Sequence, residues 1–158
     1  MLSETDKAYI AGFLDGDGCI MFQLVRRKDY IFGYQVRASI VFYQKTTHRS
    51  HLEWLKHELK YGYVRDRNDG MSEYTIVGMI HVREVLKNIQ SYLRLKKSHA
   101  ALAQKIIEAL PKRLTPPRLI AIGRMVDRFQ ELNYSKKRTN TTKTLEAFFA
   151  TAKVPRND

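Results

Sequence analysis

Over ten consecutive residues, Tyr34, Val36, Ala38, Ile40 and Phe42 alternate with Gln35, Arg37, Ser39, Val41 and Tyr43. A period of two predicts a β-strand with one apolar face toward a core and a second, polar and basic face turned away from it. Its partner precedes it: Ile20, Phe22 and Leu24 point one way, and Met21, Gln23 and Val25 the other. The link, Arg26-Arg27-Lys28-Asp29-Tyr30, is too charged for a core and forms the tip of a long hairpin. A second hairpin is predicted from Tyr63–Arg67 and Glu73–Val77 across Asn68-Asp69-Gly70. Tyr63, Arg65 and Arg67 share a face of its first strand, and Glu73 and Thr75 a face of its second.

Helical spacing fills the rest. Tyr9, Ile10, Phe13 and Leu14 predict a helix from about Thr5 to Asp15, capped by Ser3 or Thr5 and ended by Gly16 and Gly18. A second helix, opened by Thr46 or Thr47, carries Leu52, Leu55 and Leu59. Later helices carry Val82, Val85, Leu86 and Ile89, then Ala100, Ala103, Ile106 and Ile107 up to Pro111, then Leu119, Ile122, Val126 and Phe129 after the Thr115-Pro116-Pro117 start. The polar, basic break Ser135–Thr142 precedes a short helix around Leu145, Phe148 and Phe149. The order helix, hairpin, helix, hairpin, helix is α+β, an αββαββα core with additional C-terminal helices. One sheet face meets helices and the other stays open.

The open face is basic in a basic chain: 28 Lys and Arg against 16 Asp and Glu give a net charge of +12. Such a surface attracts polyanions, and a two-stranded ribbon fits the DNA major groove, where Arg pairs with guanine and Gln with adenine. A solvated face, or a ribosomal protein, accounts for the basicity equally well. No stretch reaches the roughly 20 apolar residues of a membrane span, and Met1–Lys7 has no targeting-peptide pattern. Cys19 is the sole cysteine, which excludes an internal disulfide and a paired-cysteine zinc site.

Against this basicity stands Ile10-Ala11-Gly12-Phe13-Leu14-Asp15-Gly16-Asp17-Gly18, a helix with small residues that ends in two acids separated by glycine. The last four residues alone read as a turn. An EF-hand does not fit, because the further oxygen ligands are missing at the required spacing. The nine residues resemble the signature of LAGLIDADG homing endonucleases, with Ile10 for the leading leucine. Residues 62–67, 92–97 and 132–136 are similar to stretches of the small single-motif members encoded in algal chloroplast introns, so the resemblance spans nearly the whole chain.

The resemblance implies a LAGLIDADG core over 1–134, with a saddle-shaped antiparallel sheet for DNA, and a basic C-terminal loop and short helix over 135–158 packed on the same domain. It implies a site-specific double-strand DNA endonuclease that uses Mg²⁺ or Mn²⁺ and leaves 3′ overhangs. The alternatives are an RNA-binding intron maturase and a non-cleaving DNA-binding protein. With one signature, half an active site per chain is expected, hence a homodimer joined through Ala11, Gly12 and Asp15 and a pseudo-palindromic target. No membrane and no small-molecule cofactor beyond the metal are expected. The compartment implied is the chloroplast, or alternatively the mitochondrion.

By the same resemblance Asp17 is the metal ligand with the Gly16 carbonyl beside it, Gln44 positions water, and Lys96 lies near the scissile phosphate. His48 stands where a member has arginine and takes a supporting catalytic role; its ordinary reading is a solvated helix start, and that of Lys96 a surface lysine. A cation that activates water removes the need for a protein general base. The candidates for DNA contact are Gln23, Arg27, Asp29, Tyr30, Gln35, Arg37, Arg65, Arg67, Glu73 and Thr75. Of these, Gln23, Arg27, Tyr30, Gln35, Arg65 and Arg67 match the family's base-reading positions. The tract Lys136, Lys137, Arg138 and Thr139 is similar to a phosphate-contacting tail, or else is a solvated linker.

Overall fold

The computed structural model describes residues 1–133 and 138–152. Ser3 opens helix α1 (Glu4–Asp17): its Oγ accepts the Asp6 N–H at 3.1 Å, supplying a partner the first turn lacks. The helix runs past Asp15 through Gly16 and Asp17. Gly18 stops it, because its N–H bonds the Leu14 carbonyl while its own backbone is already extended. A Cβ there would fall 2.5 Å from Leu14 Cδ1, so only glycine lets the strand leave the helix this tightly.

Strands β1 (Gly18–Arg26), β2 (Tyr34–Lys45), β3 (Tyr63–Asp66) and β4 (Met71–Val77) form one antiparallel sheet in the order β1-β2-β4-β3. Between the hairpins, a 3₁₀ turn (Thr46–His48) leads into α2 (Arg49–Leu59). After β4 come α3 (Met79–Ile89), a second 3₁₀ turn (Gln90–Tyr92), α4 (Lys97–Ala109), α5 (Pro116–Leu132) and α6 (Thr142–Thr151). The predicted αββαββα order is therefore present, followed among the described residues by three further α-helices. Thr115 caps α5 as expected, accepting the Arg118 N–H.

The alternation sorts as the sequence requires. Ile20, Phe22, Ile40, Phe42, Tyr74 and Ile76 lie on the helix-covered face, fully buried with Ile10, Leu14, Leu52, Leu55, Val82 and Phe129. Phe22 stacks on Phe129 at 5.1 Å and Phe42 on Tyr74 at 5.8 Å. At roughly 1.5–3 kcal/mol for each large apolar side chain removed from water, this layer is what holds the sheet to its helices. Strand β4 pairs with β2 only over Ser39–Lys45, so the distal half of the β1–β2 hairpin continues as a two-stranded ribbon.

Two expectations about exposure are corrected here. Ala11 is fully buried within its own chain, because it lies on the same helical face as Ile10 and Leu14; it has no surface to offer a second copy. Thr75 has the parity of the open face, yet it is only 5 % exposed. Val41 and Tyr63 flank it on the two neighbouring strands and cover it.

Candidate active site and nucleic-acid face

Asp17 ends α1 on the surface, with Gly16 exposed beside it. A helix C-terminus concentrates unpaired carbonyls and the negative end of the dipole, so this corner favours cations. Two of those carbonyls are already taken: Leu14 accepts the Gly18 N–H, and Asp15 accepts Lys96 Nζ at 2.8 Å.

Asp15 builds the corner within its own chain. Its carboxylate accepts the backbone N–H of Arg94 at 2.7 Å and that of Lys96 at 3.0 Å. Leu93, fully buried, anchors the same segment from below. These bonds span about eighty residues of sequence and fasten the segment before α4 to the end of α1. Both carboxylate oxygens are thereby engaged, which leaves Asp17 as the acid free to meet a ligand. At its other end α1 is held by the Tyr92 hydroxyl, which donates to Glu4.

Gln44 lies near the end of β2, two residues beyond Phe42, which pairs with Gly18, the residue that ends α1. Its Oε1 accepts the Lys45 N–H at 2.9 Å. His48 lies at the exposed end of the 3₁₀ turn and makes no side-chain cap to α2. Around it, Thr46 Oγ1 bonds Ser72 Oγ at 2.9 Å, Ser72 donates to Asp66 at 2.7 Å, and Arg49 pairs with Asp66 and Glu53. The Ser72 hydroxyl and the Arg49 guanidinium hold the Asp66 carboxyl below its ordinary value. This cluster fixes where β2 turns into α2, and sequence reading missed it because its members come from β3, β4, the 3₁₀ turn and α2, which only the folded sheet brings together.

Among the described residues no group of three or more His, Cys, Asp or Glu side chains could hold a metal ion. One carboxylate, a helix-end carbonyl and an open surface suit a hard divalent cation that draws its remaining oxygens from water and from other molecules. Burial pushes the Cys19 thiol above its ordinary value, which disfavours the thiolate form.

The open sheet face carries Gln23 opposite Arg37 and Val25 opposite Gln35, then Tyr43, Glu73 and Arg65 in one row. Acids hold several of the arginines: Arg65 pairs with Glu73, Arg67 with Asp69 at 2.8 Å, and Arg27 with Asp29 at 3.2 Å while its guanidinium lies 5.5 Å from the Tyr30 ring. Arg138 is partly buried: Nη1 donates to the Phe22 carbonyl at 2.9 Å and to that of Val126 at 3.4 Å, and burial lowers its pKa. Thr139 is exposed, and its carbonyl accepts the Thr144 hydroxyl. Lys136 and Lys137 lie outside the described residues.

The LAGLIDADG endonuclease family model matches residues 10–109. The chain is 42 % identical over 132 residues to the DNA endonuclease I-CvuI of Chlorella vulgaris, covering 84 % of this chain and 82 % of that protein. It is 37 % identical over 140 residues to the DNA endonuclease I-CreI of Chlamydomonas reinhardtii, covering 88 % and 85 %. The crystal structure of I-CvuI in complex with its target in the presence of 2 mM Ca superposes with a TM-score of 0.88 at 38 % identity, covering 92 % of this chain and 93 % of the other. An archaeal intron-encoded homing endonuclease, I-Vdi141I, shares the fold at a TM-score of 0.80 and 16 % identity. The acid-ended helix, its clamp on Lys96 and the open sheet beside them lie in a chain that belongs to the LAGLIDADG endonuclease family.

Proposed function

We propose that two copies of this chain assemble into a site-specific endonuclease that hydrolyses both strands of a long, pseudo-palindromic DNA target and leaves 3′ overhangs. The observation that carries the reading is the corner itself: one free carboxylate per chain, a lysine pinned beside it, and a basic sheet open to solvent. Cutting two strands requires two such corners. Gly12 and Gly16 support their pairing. Both are exposed, and a Cβ on either would meet nothing within 4 Å inside the chain. A glycine inside a helix costs about 1 kcal/mol relative to alanine, so the protomer gains nothing from it. Close backbone approach by a second α1 explains it. Of the residues expected at the interface, Gly12 carries the close approach, Ala11 is buried in the core of its own chain, and the partly exposed Asp15 lies beside the seam.

The cation, which we assign as Mg²⁺ or Mn²⁺, would be held by Asp17 and the Gly16 carbonyl and would supply Lewis-acid activation of water and charge stabilisation on the phosphate. The structure of I-CvuI on the I-CreI target in 2 mM Mg is one of a relative with uncleaved DNA, and the I-CvuI complex with its own target holds Ca conditions. Lys96 brings positive charge to the phosphate as negative charge develops there, held in place by Asp15. Gln44 orients water at the same corner, and His48 adds a polar group at its rim. Gln23, Gln35, Arg37, Arg65 and Arg67 read bases on the open face, with Glu73 and Asp29 orienting their arginine neighbours. Thr139 lies toward the backbone of the duplex.

No described helix is long and apolar enough to cross a membrane. Two green algae supply the curated relatives above, which supports an intron-encoded protein acting in the chloroplast in intron homing. Asp17→Asn removes the metal-binding charge without altering the side-chain volume. It should abolish cleavage in Mg²⁺ while leaving affinity for the target, measured in Ca²⁺, within about twofold, since a single non-reading side chain contributes little to specific binding. Cleavage retained by this variant would sink the assignment.

A further inference from the structure

Among the described residues the distal half of the β1–β2 hairpin has no third strand, and isolated two-stranded ribbons are marginal in water. What steadies it is α6. Leu145 is fully buried, and the Asp127 carboxylate accepts the Thr142 N–H at 3.1 Å, so the start of α6 is fastened to α5. Its far end then reaches the hairpin. Phe148 packs edge-on against Tyr34 at 5.4 Å, and Phe149 against Phe32 at 6.2 Å.

Arg26 is gripped between them. Its guanidinium lies 5.3 Å from the Tyr34 ring and 4.7 Å from the Phe148 ring, and Nη1 donates to the Gly33 carbonyl. Gly33 adopts φ +73, and a Cβ there would fall 2.7 Å from Phe148, so the chain must pass the ring as bare backbone. The same carbonyl accepts the Arg27 N–H at 2.9 Å, and the Gly33 N–H bonds Tyr30. The stack therefore sets directly the orientation of the Arg27–Tyr30 tip, where Arg27, Asp29 and Tyr30 stay exposed.

We propose that the Arg26–Tyr34–Phe148 stack makes α6 a strut that determines specificity, with Phe148 and Arg26 as positioning residues that fix the angle of the hairpin tip against the target. The inference rests on the endonuclease reading above. From Gly18, beside the dyad, to Arg26 the strand rises eight residues, about 26 Å at ~3.3 Å each, which spans about 8 base pairs at 3.4 Å per pair. The tip therefore reads the pairs furthest from the dyad, and the strut governs those alone.

The test uses the full-length chain. A target is first selected by the wild-type protein from a randomised pool. Wild type, Phe148→Leu and Phe148→Tyr are then assayed for kcat/KM on every single-base-pair variant of that target. Leucine stays apolar at a modest loss of volume, and a thermal melt verifies that the fold is kept, but it lacks the ring face; tyrosine retains it. At the outer pairs, discrimination of about tenfold, typical of a mismatch in a specific site, should fall to about twofold in Phe148→Leu and return in Phe148→Tyr. Discrimination at the inner pairs should not move. Equal losses at all positions, or an unchanged profile in a folded Phe148→Leu, would overturn the strut. A wild-type chain that selects and cuts no DNA would overturn the endonuclease reading and this inference with it.

Discussion

Asp15→Asn tests the clamp that builds the corner. The substitution preserves shape but turns one carboxylate oxygen into an NH₂ group that faces a backbone N–H. Either the Arg94 or the Lys96 N–H, now bonded at 2.7 and 3.0 Å, loses its acceptor, and the surviving bond becomes neutral rather than charge-assisted. Leaving a partly buried donor unpaired costs about 1–3 kcal/mol, and the weakened bond adds about 0.5–1 kcal/mol, so about 1.5–4 kcal/mol is expected in all. For a chain of this size each kcal/mol moves Tm by about 2–4 °C, so a drop of roughly 3–16 °C is expected. Thermal melts at one fixed protein concentration measure it, because dimerisation would otherwise shift the result. Cleavage should slow as well, since Lys96 loses the backbone anchor beside the Asp15 carbonyl. That slowing should vanish in a Lys96→Met background, where no ammonium remains to be misplaced. A Tm within about 1 °C of wild type would refute the clamp, a shift of ~3 °C being its lower bound. An undiminished effect of Asp15→Asn in the Lys96→Met chain would refute its action through Lys96.

Gly12→Leu should leave the protomer folded, because a side chain there meets nothing inside the chain. It should shift sedimentation from dimer to monomer, and an unaltered dimer would remove Gly12 from the interface. His99 supplies a pH dependence. Its Nε2 donates to the Leu132 carbonyl at 3.0 Å, and burial lowers its pKa from the ordinary 6.5. Below pH 6.5 the unfolded chain binds a proton that the folded chain refuses, so stability falls as pH drops from there toward the folded value. His99→Gln, which can still donate to Leu132, should flatten that acid limb in urea midpoints compared between about pH 7.5 and 5.5. Parallel limbs for the two proteins would show that His99 is not the group responsible.

Much of the molecule is written locally. The alternation at 20–25 and 34–43 dictates both the strands and which side chains face the helices, because the period of the pleat leaves no choice. Ser3 and Thr115 cap their helices for reasons contained within four residues. The helix before Asp17 is equally legible, as is the resemblance carried by residues 10–18. Exposure is where sequence reading fails. Thr75 has the right parity for the open face, but neighbours from two other strands cover it. Ala11 is small and on the signature helix, but its rotation about the helix axis turns it inward. Arg138 sits in a basic tract and nonetheless spends its guanidinium on carbonyls of β1 and α5.

The sequence by itself therefore determined the elements, the two-faced sheet, the acidic helix end and the net charge that draws a polyanion, since each follows from periodicity, capping or composition within short reach along the chain. The resemblance already implied Asp17 as the ligand; what only the tertiary structure decided is what engages its neighbour Asp15. Asp15 and Asp17 are neighbours of the same chemistry two residues apart, and they part company because a segment some eighty residues away offers its N–H groups to one of them. No local pattern encodes that meeting; it arises where the buried Leu93 places its own backbone against the end of α1.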